Sequence, residues 1–144
     1  MPPTPGIRIA RSSIHGYGIV ATRSFRAGET LFAVDGIVGP SGPPFDDRYS
    51  VWLDEDLFLH VTDQTRWLNH CCDPNVWIDG GLENGGWATV VALRDLGAGE
   101  ELTCDYAYSL EHAERCYCGA RTCSGWIVDE ADRARLEMQL QKLG

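Results

Sequence analysis

The stretch Arg66-Trp67-Leu68-Asn69-His70-Cys71-Cys72-Asp73-Pro74-Asn75 combines three kinds of chemistry in a short segment. An Asn-His pair runs directly into two adjacent cysteines, and an Asp-Pro-Asn bend follows. Proline fixes its own φ and disfavours helical geometry at the residue before it, while asparagine tolerates tight turns. Hydrogen-bonding groups, thiols and a rigid bend are therefore expected close together, and their partners must come from elsewhere in the chain.

Length and composition are those of one domain. The 144 residues are enough for a modest core without disulfides, and 44% of them are hydrophobic. No run approaches the length of a transmembrane helix, and residues 1–6 lack the basic patch and apolar run of a signal peptide. We therefore expect a soluble intracellular protein, cytoplasmic or nuclear, or one secreted into a host without a classical signal peptide.

The chain is strongly acidic. Twelve basic residues against twenty-one acidic ones give a formal net charge of −9. This balance disfavours direct nucleic-acid binding, which depends on neutralising phosphates, and suits a basic partner through electrostatic steering. Charge alone favours the plainer interpretation, in which acidity only keeps the protein soluble.

Six cysteines raise the choice between disulfides, free thiols and a metal. A chain without export signals is expected in a reducing compartment, which disfavours bridges. The spacing C-x-C-x₄-C of Cys116, Cys118 and Cys123 favours zinc over free thiols, with disulfides third. Tetrahedral zinc needs a fourth ligand, for which the candidates are Cys72, Cys71, Cys104, His70 and His112.

Most of the remaining sequence predicts strands. Residues 7–10 alternate apolar and polar side chains, residues 30–38 read as a second strand, and residues 87–93 form the most β-prone run. Between the first two, His15-Gly16-Tyr17-Gly18 predicts a glycine-rich turn, which by itself is typical of a structural hairpin.

Two further segments complete the outline. Residues 80–86 predict a loose hairpin loop. Residues 129–143 predict a helix with an Asp N-cap and with Leu136, Leu140 and Leu143 at helical spacing. We expect this helix to dock on the body of the domain, with dimer contact as the lesser alternative.

Four motifs resemble those of the SET-domain protein-lysine methyltransferases. They occur in the same order along the chain as in that family and together span nearly the whole sequence. Residues 66–75 are similar to the signature RFxNHxCxPN, with Trp67 and Leu68 in its apolar slots. Residues 94–106 are similar to R-D-I-x-x-G-E-E-L-T-F-D-Y, the turn at Gly16 to Gly18 to the family's G-x-G, and the three late cysteines to its post-SET segment.

The resemblance implies a mostly-β fold, the SET-domain (β-clip-like) fold of small twisted sheets. A C-terminal strand segment is threaded beneath a loop near Asn69-His70, an exception to the rule that chains do not knot. A C-terminal α-helix is added to this. The expected divisions are a SET domain over residues 1–110, a post-SET zinc-binding segment over 111–127 and a C-terminal helix over 128–144.

The implied function is protein-lysine N-methyltransferase, transferring a methyl group from S-adenosylmethionine to a lysine of a basic protein such as a histone or histone-like protein. The substrate peptide is expected to add as a strand along an exposed sheet edge. A catalytically degenerate SET module acting as a zinc-stabilised protein-binding domain is the alternative, and a zinc-stabilised interaction domain of unrelated fold is a third. The sequence leaves open whether the protein is a monomer or a homodimer.

The resemblance also assigns roles to single residues. Tyr106 is the expected catalytic residue, and Tyr108 is the reserve candidate. Cys104 and Tyr108 are expected to line the substrate channel. The expected zinc ligands are Cys72, Cys116, Cys118 and Cys123. The expected cofactor-binding residues are Gly16, Tyr17, Gly18, Tyr49, Arg66, Asn69, His70 and Trp126, the last covering the adenine.

Two residues depart from the family pattern. Val34 stands where an aromatic residue usually precedes a glycine and lines the lysine channel. Cys104 replaces the usual Phe or Tyr that limits how many methyl groups fit, so we expect room for at least dimethylation. Both departures are also the best support for the degenerate alternative.

Overall fold

Short strands dominate the computed structural model, which describes residues 4–45, 49–80, 88–108 and 110–143. In chain order these elements are β1 (Ile7–Arg11), β2 (Tyr17–Ala21), β3 (Thr30–Val34), β4 (Gly36–Gly39), β5 (Ser50–Asp54), β6 (Leu57–Val61), β7 (Asn69–His70), β8 (Val76–Gly80), β9 (Ala88–Ala92), β10 (Glu101–Cys104), β11 (Glu114–Arg115), β12 (Trp126–Ile127) and α1 (Arg133–Leu143). The predicted loop at 80–86 lies almost wholly outside the described residues.

The sheet that positions the site has the strand order β1-β2-β10-β7. Strand β10 runs antiparallel to β2 and parallel to β7, with Thr103 opposite Asn69 and Cys104 opposite His70. A parallel pair needs a long crossover between its strands. This pairing brings the two strongest sequence motifs side by side, as the expected threaded arrangement requires.

The Asp-Pro-Asn bend holds the other side of β10. Asn75 is buried, and its Nδ2 donates a hydrogen bond of 2.8 Å to the carbonyl of Glu101. Its Oδ1 accepts one of 2.8 Å from the N–H of Thr103. A buried side-chain amide thus replaces a missing strand neighbour, which satisfies backbone groups that burial would otherwise leave unpaired.

Two further sheets, β3-β9-β8 and β4-β6-β5, enclose the core with the first. Strand β9 shows why this sequence forms a strand, because its alternate residues Ala88, Val90 and Ala92 are all buried. Burying a side chain the size of Val90 stabilises the fold by roughly 1.5–3 kcal/mol. The largest fully buried side chains are Phe25, Ile19, Leu59, Leu102, Val34, Val76 and Val90.

The expectation of one strand over residues 30–38 was wrong. The chain breaks at Asp35 into β3 and β4, which belong to different sheets. The N–H of Asp35 donates to a carboxylate oxygen of Asp63 at 2.9 Å instead of to a strand. At the next residue, a Cβ on Gly36 would lie 2.3 Å from the carbonyl oxygen of His60, so only glycine fits this change of sheet.

The C-terminal helix was predicted correctly, with a difference at its start. Asp129 accepts a hydrogen bond of 2.9 Å from the N–H of Ala131, and this cap begins a short 3₁₀ turn that leads into α1. Leu136 is buried, whereas Leu140 and Leu143 are exposed, so the helix docks through a narrower face than its spacing suggested. None of the helices in the described part of the chain is both long enough and apolar enough to cross a membrane.

Candidate active site

A cavity of about 410 Å³ lies where β7, the turn before β2 and the segments after β10 meet. Its size is that of a small-molecule site. Among its lining residues are Gly16, Tyr17, Tyr49, Arg66, Asn69, His70, Tyr106 and Tyr108. The structure therefore gathers most of the residues that the sequence singled out as cofactor-binding, channel or catalytic residues.

Asn69 fixes the glycine-rich turn. It is buried, and its Nδ2 donates to the carbonyls of His15 at 3.0 Å and Tyr17 at 3.1 Å, and to Oε2 of Glu101 at 3.0 Å. The carboxylate of Glu101 also accepts from the hydroxyl of Ser12 at 2.7 Å. Sequence reasoning missed Ser12 and Glu101, although Glu101 lies within the quoted Gly-Glu-Glu-Leu motif.

Gly18 does not line the cavity but is required behind it. A Cβ at this position would lie 2.5 Å from Oε2 of Glu101 and 3.1 Å from Nδ2 of Asn69. Real Cβ atoms do not approach so closely, so any larger residue would displace the carboxylate from its partners. The glycine thus gives the Asn69–Glu101 pair its room.

Tyr106 is held at both ends by the segment around β7. Its hydroxyl donates to the carbonyl oxygen of Leu68 at 2.5 Å, and its backbone N–H donates to Nδ1 of His70 at 3.0 Å. Burial, followed by the nearby Cys104 and Tyr108, raises the pKa of the phenol well above its ordinary value. The hydroxyl therefore stays neutral and keeps its proton, which it donates to the carbonyl oxygen of Leu68.

One part of the cavity wall consists of aromatic side chains and an arginine in contact with one another. The guanidinium of Arg66 lies 4.3 Å from the centre of the Tyr49 ring, a cation–π contact. Tyr17 and Trp67 meet edge to face with ring centres 6.2 Å apart. These contacts fix an aromatic and cationic wall, which suits a ligand with a planar ring and an anionic group.

His70 connects the cavity to the thiols. Its Nε2 lies 3.4 Å from Sγ of Cys72, on the side opposite its contact with Tyr106. Burial lowers the pKa of the imidazole, and the charge of Asp105, whose carboxylate lies 3.6 Å from Nδ1, partly offsets this. The ring is therefore neutral at pH 7.

Four thiols form one cluster: Cys72, Cys116, Cys118 and Cys123, with sulfur atoms all within 4.8 Å of one another. Sγ of Cys72 lies 3.7 Å from that of Cys116 and 3.6 Å from that of Cys123. Tetrahedral zinc with Zn–S bonds of about 2.3 Å holds its sulfurs about 3.8 Å apart. The donor set and spacing therefore fit zinc, and all six cysteines are reduced thiols rather than disulfides.

The thiols of this cluster differ in acidity. Burial raises the pKa of Cys72 to about 11 and also raises that of Cys116. Burial opposes ionisation at Cys118 too, but hydrogen bonds from the N–H groups of Cys72 and Ala120 and from neighbouring thiols lower its pKa to about 6. The lowered pKa of Cys118 provides one thiolate, and a divalent cation would complete the set by displacing the protons of Cys72 and Cys116.

Two predicted site residues, Trp126 and Cys104, are not among the residues that line the cavity. Trp126 packs against Arg115, with the guanidinium 4.7 Å from the indole centre. Arg115 itself lines the cavity. Cys104 is buried near Tyr106, and burial raises its pKa to about 12. Val34 is fully buried opposite Ala88 in the core. The contact of Trp126 with an adenine stays a prediction.

The family follows from comparison with known proteins. The model of the SET domain matches residues 16–107, which include the glycine turn, β7 and Tyr106. The chain belongs to the SET-domain family, and the expectation drawn from its motifs is confirmed. The arrangement of small sheets with one C-terminal helix is the SET fold.

Curated relatives share this part of the chain. It is 35% identical over 141 residues to the "Histone-lysine N-methyltransferase, H3 lysine-4 specific" of Saccharomyces cerevisiae, covering 84% of this chain and 13% of that protein. It is 32% identical over 139 residues to "Histone-lysine N-methyltransferase 2B" of Homo sapiens, covering 84% of this chain and 5% of that protein. The chain thus spans only a small part of the relatives it matches.

Solved structures agree on the fold. The crystal structure of KRYPTONITE in complex with mCHG DNA and SAH superposes with a TM-score of 0.71 at 22% identity, covering 84% of this chain and 28% of that one. A second KRYPTONITE structure, with mCHH DNA, H3(1-15) peptide and SAH, gives 0.69 at 22% identity, covering 84% of this chain and 29% of that one.

Proposed function

We propose that this chain is an S-adenosylmethionine-dependent protein-lysine N-methyltransferase. The observation that carries the proposal is the half-buried phenol of Tyr106, which bonds the carbonyl of Leu68 on the wall of a cavity that Tyr49, Arg66, Asn69 and His70 also line. The names of the curated relatives and the SAH in the two solved SET structures support the reaction class and the cofactor.

When bound, S-adenosylmethionine supplies a methyl group activated by its sulfonium. The protein must present a neutral amine to it, and deprotonating a free lysine with pKa near 10.4 at pH 7 costs about 4–5 kcal/mol. A narrow, largely dry channel reduces this cost by desolvating the ammonium, and fixed alignment replaces a bimolecular encounter.

Tyr106 orients the amine. Its hydroxyl proton is committed to the carbonyl of Leu68, so its oxygen presents lone pairs rather than a proton to other groups. A lysine amine entering the cavity would donate an N–H to this oxygen, which directs the nitrogen lone pair away from the phenol. That geometry suits in-line attack on a methyl group.

The late cysteines would hold zinc with Cys72 and so fix the segment 111–127 over the cavity. The support is that Arg115, Cys116, Tyr117 and Cys118 line the cavity themselves. A segment this short buries little surface, so metal binding supplies its folding energy. The proposed divisions remain a SET domain over 1–110, this post-SET segment and a C-terminal helix over 128–144.

The substrate is a lysine in a basic protein segment. The net charge of −9 favours approach of a cationic partner, the relatives are named for histone lysines, and one solved neighbour holds an H3 peptide. We therefore propose a histone or histone-like substrate, with the reaction in the compartment that contains it. The rival, a degenerate SET module, would bind the cofactor or a partner without turnover.

A lysine-free enzyme makes the test clean. Lys142 is the only lysine in the chain, so Lys142→Arg removes every side chain that could be automethylated. The wild-type protein and the Lys142→Arg variant are each incubated with methyl-labelled S-adenosylmethionine and a panel of basic and acidic proteins. The expected result is equal labelling of lysines in basic proteins by both. Cofactor binding without labelling would support the degenerate module, and absence of both would overturn the proposal.

A further inference from the structure

The two contacts of the His70 ring require the same tautomer. The backbone N–H of Tyr106 can only donate, so Nδ1, 3.0 Å away, must be the bare acceptor nitrogen. With Nδ1 accepting that hydrogen bond, the ring proton lies on Nε2, which faces Sγ of Cys72 at 3.4 Å. A metal-bound thiolate can only accept, so the same proton satisfies the sulfur.

The carboxylate of Asp105 does not compete for the ring proton. Its Oδ1 is 3.6 Å from Nδ1, beyond hydrogen-bond distance, and accepts instead from the N–H of Ala107 at 2.9 Å. His70 is itself fixed by burial and by its place opposite Cys104 in the parallel pair of β7 and β10. The ring therefore has one orientation and one proton position.

Tyr106 depends on this ring for its placement. Its backbone is tied to His70 and its hydroxyl to the carbonyl of Leu68, two residues before His70 in the chain. A shift of the ring would move the backbone of Tyr106 relative to the acceptor of its own hydroxyl. The sulfur of Cys72, on the other side of the ring, is the group that opposes such a shift.

We propose that His70 is a positioning residue that links the four-thiol cluster to Tyr106, with Nε2–H donating to Cys72 and Nδ1 accepting from the Tyr106 backbone. This inference rests on the proposed function for its effect on catalysis. Independently of catalysis, His70 is the hydrogen-bond donor that stabilises the Cys72 thiolate in the metal-loaded cluster.

The tautomer can be observed directly in the unmodified protein. Zinc-loaded wild-type protein, labelled with ¹⁵N in its four histidines, is examined by two-bond ¹H–¹⁵N correlation, and the His70 signal is assigned by its loss in a variant. The expected pattern is a neutral ring protonated at Nε2. A ring protonated at Nδ1, or one exchanging between tautomers, would overturn the proposal.

Two variants separate the contacts. His70→Asn keeps an acceptor near the N–H of Tyr106 but is too short to reach Cys72, whereas His70→Gln places an amide N–H towards Cys72 and loses the acceptor. With a chelator in excess, His70→Asn should release zinc about 10–100-fold faster than wild type, and His70→Gln within about threefold of it. His60→Gln, at a buried histidine bonded to Ser50 and Pro40, is the control and should leave zinc release unchanged.

Activity gives a second, independent readout. At saturating zinc, His70→Gln should lower kcat more than His70→Asn does, because only His70→Gln leaves the backbone of Tyr106 without its acceptor. Equal zinc release in wild type and His70→Asn would contradict the link. If the variants do not fold, the tautomer of the wild type decides. If no variant or wild type transfers methyl groups, the proposed function fails while the zinc and tautomer results still judge the role of His70.

Discussion

The amide of Asn69 donates to the carboxylate of Glu101 across 3.0 Å, which joins two residues 32 positions apart. The same carboxylate accepts from the hydroxyl of Ser12. Asn69 in turn holds the carbonyls of the glycine-rich turn that lines the cavity. One acidic side chain thus fixes both the turn and the strand between which the cofactor is expected to bind.

Replacing Glu101 should weaken cofactor binding. In Glu101→Gln the amide would direct N–H groups at donors, and losing hydrogen bonds to a charged acceptor costs about 1.5–3 kcal/mol. We expect the KM for S-adenosylmethionine to rise about 10–100-fold, measured by steady-state kinetics and by titration calorimetry. Glu100→Gln is the matched control, because Glu100 bonds the N–H of Gly97 outside the cavity. Equal affinity of Glu101→Gln and wild type would refute this role.

The sequence motifs predict which segments form the site but not all of the contacts between them. Asn69 and Tyr106 could be singled out because they lie in short, specific segments, and both line the cavity. Glu101 was overlooked as a site residue because its partner Ser12 is 89 positions away. The one signal in the sequence was the position of this charged residue at the start of β10. The break at Asp35 was missed because it depends on residues distant in sequence, the carboxylate of Asp63 that binds its N–H and the carbonyl of His60 that lies against Gly36.

Loss of one cluster thiol should loosen the segment over the cavity. We expect Cys123→Ser to bind zinc less tightly and to raise the hydrogen–deuterium exchange rate of residues 111–127 by about tenfold or more, because metal binding supplies their folding energy. Cys71→Ser is the matched control, since Cys71 neighbours the cluster but is not one of its four thiols. Equal exchange in the two variants would contradict a four-thiol clamp.

The small side chain at position 104 should set the product. Cys104 is buried next to Tyr106, so Cys104→Phe would fill space behind the phenol and is expected to shift the product from dimethyl-lysine towards monomethyl-lysine. Overpacking should also lower stability by about 1–3 kcal/mol. Mass spectrometry of the product checks the shift, with Cys104→Ala as the small control. Monomethyl product alone from wild type under exhaustive turnover would argue against this.

The pH dependence should lack an alkaline limb from Tyr106. Burial raises the pKa of this phenol, so the protonated form that donates to Leu68 persists as the pH rises. The substrate lysine, in contrast, loses its proton more readily at higher pH. We expect kcat/KM to increase from pH 7 and to show no fall up to about pH 10.5, past the ordinary tyrosine pKa, with circular dichroism confirming the fold at each pH. A fall centred near the ordinary tyrosine pKa would contradict the raised value.

The most direct measurement is single-turnover methyl transfer by Tyr106→Phe in the Lys142→Arg background, with cofactor affinity measured in parallel. Removing one hydroxyl that positions the reacting group should slow transfer by about 10²–10³-fold while S-adenosylmethionine still binds. Tyr108→Phe, at the neighbouring ring 5.5 Å away, should lose much less. Transfer by Tyr106→Phe within a few-fold of the parent enzyme would contradict the account.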